Sequence, residues 1–234
     1  MNLRSVARQA LGKIRPAREP IARLVEHLQV SNALCVIDAG ANQGDYGVLL
    51  RRFGWAGEIL SLEPLAESYE ACHARARNDR AWRVMQVGLS DSNREDTMNV
   101  ASNRQGSSSL HRMGHRHFEA APEVREVCQE QVHLRKLDDL LQESEISLPF
   151  FLKLDVQGHE LSALEGGQKV IENYCAGVQV ELSLLPLYEE SPSLPDVWNW
   201  LTERNFRPGW SAAGFRDART NELLQVDVSF FRTG

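Results

Sequence analysis

The chain has 234 residues, 42% of them hydrophobic and 25% charged, the balance of an ordinary globular protein. A chain of this length buries roughly 70% of the surface its unfolded form exposes, so it folds without disulfides or a structural metal. Its net charge of −6 argues against broad nucleic-acid binding, which needs a basic surface to displace counterions. No apolar run reaches 18 residues, so no transmembrane helix is expected. The start lacks the apolar core and small-residue cleavage site of a secretory signal. Cys35, Cys72, Cys128 and Cys175 are scattered with no C-x-x-C pair. They read as reduced thiols of a cytoplasmic protein.

In chain order, residues 1–30 read as a basic helical extension. Arg4, Arg8, Lys13, Arg15, Arg18 and Arg23 face Glu19 and Glu26, a balance of +4 that leaves −10 for the remainder. Leu3, Val6, Ala7, Ala10, Leu11 and Ile14 recur at helical spacing, Pro16 and Pro20 interrupt, and residues 21–28 suggest a second short helix. The prefix is expected to pack on the main domain. A peripheral contact with anionic lipid is the sharper reading. Residues 31–234 form the main domain. Short apolar runs at 33–38, 59–62, 82–87, 150–155 and 178–182 alternate with helical patterns at 46–53, 66–78 and 160–173. That alternation predicts an α/β fold of βαβ units on a mostly parallel sheet. Residues 194–204 predict a further helix and 226–231 a last strand, antiparallel at the edge. Residues 91–136 interrupt the alternation as an insert. Extended segments at 96–101 and 127–134 flank a polar Gly/Ser stretch with His111, His115 and His117. A long irregular insert is commonly functional.

The strongest local signal is V-I-D-A-G-A-N-Q-G-D-Y at 36–46. A strand ends at Asp38, a glycine turn follows, and a helix starts near Gly44. Ligands of doubly wound sheets bind outside the carboxyl ends of the strands. Gly40 and Gly44 admit a close backbone approach. A dinucleotide needs G-x-G-x-x-G, yet the corresponding positions here are Gly40, Asn42 and Asp45, and the last is an acid. A P-loop needs G-K-[ST], which is missing. S-adenosylmethionine, with a carboxylate and an ammonium but no phosphate, suits the turn. Asp38 is expected to answer the ammonium, and turn N–H groups the carboxylate. Glu63 closes the second strand 25 residues after Asp38, where an acid pairs with ribose hydroxyls. Gly88, Leu89, Ser90 and Asp91 at the third strand end are expected around the adenine.

These pieces resemble the FkbM family of S-adenosylmethionine-dependent methyltransferases. The shared stretches are the first loop, S-L-E-P at 61–64, V-G-L-S-D at 87–91, G-S-S-S-L at 106–110, L-D-D-L-L at 137–141, F-L-K-L-D-V-Q-G-H-E at 151–160 and V-E-L-S-L-L-P-L-Y at 180–188. The family often has Glu where Gln157 stands. The resemblance covers about residues 33–232. It implies a class I (Rossmann-like) methyltransferase: a seven-stranded mostly parallel sheet with an antiparallel last strand and helices on both faces. It further implies methylation of hydroxyls, commonly on sugars of glycolipids, polysaccharides or metabolites.

Asp38, Gly40, Ala41, Asn42, Gly44, Tyr46, Glu63, Pro64, Gly88, Leu89, Ser90 and Asp155 are accordingly the expected cofactor contacts. Orientation contributes about 7–11 kcal/mol to such a displacement, and a base acting on a hydroxyl roughly 10²–10⁴-fold. Asp155, His159 and Lys153 are the expected catalytic groups. Lys153 alternates with Asp155 on one strand face, and a buried lysine calls for a partner. Asn103, Ser107, Ser108, His111, Glu160, Glu181 and Tyr188 are expected at the acceptor, a small hydroxyl compound and most plausibly a carbohydrate. Glu160 is also read as a helix cap. The polar insert is expected to be a mobile cover over the acceptor. Trp198, Trp200 and Trp210 are read as core, with sugar stacking or a homodimer contact as the alternative for the last two. No metal is expected: Asp155, His159, Glu160 and Glu181 form no close ligand motif, and H-x-x-x-H-x-H would need a helix that Gly114 weakens. Two rival functions remain: N- or carboxyl-methylation of a small molecule, and a non-catalytic binding protein on the same fold.

Overall fold

The computed structural model describes residues 20–232. The helical pattern through residue 14, and with it most of the basic prefix, lies outside the described residues. Helix α1 (Pro20–Val30) sinks Leu24, Val25 and Leu28 into a core cluster with Val36, Ile59 and Phe151. The last eleven residues of the prefix are therefore packed into the domain.

Strands β1 (Cys35–Ala39), β2 (Glu58–Leu62) and β3 (Trp82–Met85) run parallel and are separated by α2 (Asp45–Arg52) and α3 (Ala66–Ala76). Strand β4 (Gly88–Leu89) leaves this sheet for a smaller one with β5 (Arg94–Ala101) and β6 (Glu126–Arg135), in the order β4-β6-β5. The insert is thus built on an antiparallel β5–β6 pair with α4 (His115–Ala120) between its strands. After α5 (Leu137–Glu143), β7 (Phe150–Leu154) pairs parallel with β1. Helices α6 (Glu160–Gly166) and α7 (Gln168–Tyr174) lead to β8 (Cys175–Ser183), then α8 (Leu194–Glu203), β9 (Phe206–Ala213) and β10 (Gln225–Arg232).

The main sheet has seven strands in the order β3-β2-β1-β7-β8-β10-β9. This is the expected mostly parallel sheet, with β10 antiparallel to β8. One detail corrects the sequence reading. The last strand lies inside the sheet, between β8 and β9, rather than at its edge. Helices cover both faces: α1 to α3 bury Leu28, Leu50 and Cys72 on one, while α5 to α8 bury Leu137, Leu164, Ile171 and Leu201 on the other.

The helix expected over 160–173 is two helices. Gly166 sits where an added Cβ would lie 1.9 Å from the Ser90 carbonyl. The pair Gly166–Gly167 is also a weak point for any helix. The second helix restarts under Asp138, whose carboxylate accepts the Val170 N–H at 2.9 Å and the Lys169 N–H at 3.4 Å. That is the role of the L-D-D-L-L acid, an anion at a helix N-terminus. Trp200 is buried in the core, and Trp210 packs against the other face. Among the described residues no helix is long and apolar enough to cross a membrane.

Candidate active site

Strand register assembles the floor of the site. Asp38 on β1 is opposite Ser61 on β2 and Lys153 on β7. Lys153 is opposite Gln179 on β8, and Gln179 opposite Ser229 on β10. Five polar residues thus cross the sheet in one buried row. Lys153 is its centre. Its Nζ lies 3.2 Å from Asp38 Oδ1, 3.3 Å from Asp155 Oδ2 and 3.4 Å from the Gly40 carbonyl. Burial works against the ammonium, but Asp155 and Asp38 hold it charged, with its pKa above the ordinary lysine value. Burial pushes the Asp38 carboxyl up, and Lys153 restrains that rise. Tyr46 roofs the row: its hydroxyl donates to Gln179 Oε1 at 2.8 Å, and its ring centre is 5.2 Å from Lys153 Nζ.

Above this floor lies a cavity of about 310 Å³, at the lower end of the roughly 300–1,000 Å³ range of ligand sites. Gly40, Asn42, Gln43 and Asp155 line it at the first loop, Glu63 and Pro64 beside them, and Gly88, Leu89 and His159 at the third strand end. Asn103, Arg104, Gln105 and Ser108 of the insert close it. The expected contacts Gly40, Asn42, Glu63, Pro64, Gly88, Leu89 and Asp155 therefore meet at one cavity. Asp38, Ala41, Gly44, Tyr46 and Ser90 do not line it. Asp38 is buried beneath it with Lys153 as its cationic neighbour. The glycines serve packing. A Cβ on Gly40, at φ +73°, would lie 1.9 Å from the Asp155 carbonyl, and one on Gly44, at φ +82°, 2.9 Å from Cys72 Sγ.

The turn N–H groups are also committed. Gly40 and Ala41 donate to the Leu62 carbonyl, Asn42 to Glu63 Oε2 at 2.7 Å, Gln43 to Asn42 Oδ1, and Gly44 to the Ala41 carbonyl. No phosphate cradle remains among them. Glu63 Oε1 accepts the Leu65 N–H at 3.0 Å, so each carboxylate oxygen keeps a lone pair for a diol. Burial raises Glu63 to about 7, against the pull of those two N–H groups.

His159 is placed differently from expectation. It is the N-cap residue of α6, and its Nε2 lies 2.9 Å from Ser90 Oγ at the third strand end. Burial lowers it to about 4, with His111 and Arg94 adding to the effect. It is a neutral group at neutral pH. Glu160 accepts the Gly158 N–H at 3.1 Å and is raised by burial to about 7, a cap-like role. The insert histidines separate. His111 lies near the His159 ring, His117 is buried against Phe215, and His115 is 3.7 Å from Glu119.

A second cavity of about 520 Å³ adjoins the first and shares Asn103, Gly106, Asp155 and Gln157 with it. Ser107, Glu181, Gln225, His117 and Phe215 line it further. Tyr188 and His111, expected at the acceptor, line neither cavity. The residue the sequence reading passed over is Gln157. Its Nε2 donates to Asp155 Oδ1 at 2.6 Å and to Glu181 Oε2 at 3.0 Å. Its Oε1 accepts from Tyr188 Oη at 2.7 Å, and its carbonyl from Ser109 Oγ at 2.6 Å. The available signal was the amide itself, an uncharged donor set between acids. Gln225 Nε2 also donates to Glu181 Oε2, at 2.7 Å. Burial raises Glu181 above the ordinary carboxylate range, and Asp155 and Asp227 reinforce the shift.

The first cavity fits a sulfonium nucleoside better than a pyrophosphate. Asp45, Glu63 and Asp155 line it against the single guanidinium of Arg104, and the loop N–H groups are taken. Fold and site define a class I S-adenosylmethionine-dependent methyltransferase. The model of the FkbM methyltransferase domain matches residues 38–208, and the chain belongs to that family. Solved structures share the fold at low identity. The O-methyltransferase of Bacillus cereus, in complex with S-adenosylhomocysteine, has a TM-score of 0.52 at 12% identity, over 98% of this chain and 88% of that one. An rRNA methylase of Streptococcus thermophilus has 0.51 at 10%, over 94% and 100%. Precorrin-6y C5,15-methyltransferase of Geobacter metallireducens has 0.50 at 9%, over 95% and 92%. No curated protein matches this chain.

Glu63→Ala is expected to weaken S-adenosylhomocysteine binding by about 1–3 kcal/mol, the range for losing a buried hydrogen-bonding partner. Wild-type affinity should rise as pH passes upward through about 7 and Glu63 ionises. Calorimetry from pH 6 to 8 checks both, and unaltered affinity removes Glu63 from the cofactor.

Proposed function

We propose that this methyltransferase methylates a hydroxyl of a small-molecule acceptor, most simply a sugar. The observation that carries the reading is the second cavity. Its lining combines amide and hydroxyl groups (Asn103, Ser107, Gln157, Gln225) with the ring of Phe215, and includes no lysine or arginine. Such a wall can hydrogen-bond a polyol and cover its apolar face. It offers an anionic acceptor no counter-charge.

Bound S-adenosylmethionine supplies a methyl group already activated on its sulfonium. The protein then has to orient the hydroxyl and take its proton. Asp155 lines both cavities, and its oxygens are fixed by Lys153 and Gln157, so it suits orientation of the acceptor at the junction. Glu181 Oε2 is pinned by two amides, while Oε1 faces no donor among the described residues. Glu181 Oε1 accepts the proton that the hydroxyl releases as its oxygen takes the methyl group. Lys153 acts by holding Asp155, and His159 belongs to the third-strand end of the cofactor site. The location proposed for this chemistry is the cytoplasm, where the reduced thiols of Cys35, Cys72 and Cys175 stay buried and unpaired.

The test is release of S-adenosylhomocysteine across neutral sugars, their carboxylic acid counterparts and small amines. Turnover with a neutral sugar supports the reading. Turnover confined to carboxylic acids or amines removes hydroxyl methylation.

A further inference from the structure

The zwitterionic end of the cofactor carries a carboxylate, and the turn N–H groups from Gly40 to Gly44 are all bonded within the protein. Lys153 is spent on Asp38 and Asp155 in the floor. Among the described residues the cofactor cavity has one cationic side chain in its lining, Arg104, delivered by the insert rather than by the sheet. We propose that Arg104 is a cofactor-binding residue whose guanidinium receives the α-carboxylate of S-adenosylmethionine.

The local geometry is built to present it. Arg104 and Gln105 both hold left-handed backbone, at φ 56° and 64°, a strained conformation that persists where surroundings enforce it. The enforcing contacts are visible. Asn42 Nδ2 donates to the Arg104 carbonyl at 3.1 Å. Gln105 is bonded through its side chain to Ser68 and Glu67 on α3. The Arg104 Nη2 donates to Gln43 Oε1 at 2.5 Å, which ties the guanidinium to the first loop where Gln43 lines the cavity. That neutral amide leaves the positive charge uncompensated and the other guanidinium N–H groups available for a planar carboxylate. The turn of the insert thereby completes the cofactor site of the sheet.

Calorimetry on the full chain tests this with two probes. S-adenosylhomocysteine carries the amino-acid end, and 5′-methylthioadenosine lacks it. Arg104→Met is expected to weaken S-adenosylhomocysteine about tenfold, a charge-assisted contact discounted for exposure, and to leave 5′-methylthioadenosine within twofold. Arg104→Lys should recover part of the loss. Equal loss for both probes would make Arg104 a mere strut for the loop. Undiminished S-adenosylhomocysteine affinity would equally overturn the assignment. The side chain is exposed, so both variants should fold, and thermal unfolding confirms it.

Discussion

Lys153→Met is expected to lower the free energy of unfolding by about 3–5 kcal/mol, the cost of removing one partner from a buried ion pair. The side chain it replaces is 10% exposed, and Asp38 beside it is sealed from solvent. No other cation among the described residues pairs with Asp38, and the Ser61 hydroxyl beside it on β2 is its remaining polar neighbour. The variant would leave a carboxylate in the sheet with no cation to offset its desolvation. It can escape by taking up a proton, which gives the effect a pH signature. Without the ammonium, the folded-state pKa of Asp38 would stand well above its unfolded value. The stabilising proton is then present at low pH and lost as pH rises through the folded-state pKa. The deficit should therefore be larger at pH 8 than at pH 5. Urea unfolding at both values measures it. Adding Asp38→Asn to Lys153→Met should recover much of the loss, since the orphaned charge is gone. A single variant that loses less than about 1 kcal/mol at either pH would mean that the pair contributes nothing to the fold.

The alternation of strands and helices and the carboxyl-end acids were legible in the sequence because hydrophobic runs and glycine turns mark each βαβ unit. Periodicity assigns a residue to a face of a strand. It does not say which residue on the neighbouring strand stands opposite. For that reason Asp38 read as a cofactor ligand, when its register opposite Lys153 makes it part of the floor. Tyr46 is a similar case: the helix start was visible, but the contact with Gln179, 133 residues away, was not. The inner position of β10 was hidden for the same reason, since an alternating strand looks alike at an edge and beside one. Gln157 escaped notice because three of its four partners, Ser109, Glu181 and Tyr188, come from distant parts of the chain. Its backbone, at φ 51°, folds the amide back between two acids. Arg104 sits in a loop with no periodic signal at all. The break between α6 and α7 was hinted at by two glycines, but the close approach of the Ser90 carbonyl that requires the first is a tertiary fact.

Glu181→Gln should reduce kcat by roughly 10²–10⁴, the contribution of a positioned general base, with little change in S-adenosylhomocysteine affinity. The substitution keeps shape and volume. The carboxylate oxygen anchored by Gln157 and Gln225 becomes an amide oxygen that still accepts both bonds, and the group facing the second cavity loses its proton affinity. The pH profile separates this base from its rival. Glu181 is raised above the ordinary carboxylate range by burial and by Asp155 and Asp227. Its ionised fraction, and with it wild-type kcat, should climb as pH increases through that elevated value. His159, lowered to about 4, is already deprotonated throughout neutral pH. A reaction depending on it would show no rise between pH 6 and 9. His159→Asn should accordingly spare kcat at saturating cofactor and instead shift cofactor affinity, because the ring sits beside Ser90 at the far end of the first cavity. Steady-state rates with a sugar acceptor that turns over, taken for both variants from pH 6 to 9, decide between them. A flat wild-type profile together with a silent Glu181→Gln would take the proton-accepting role away from Glu181. A collapse of kcat in His159→Asn alone would move that role to the neutral imidazole.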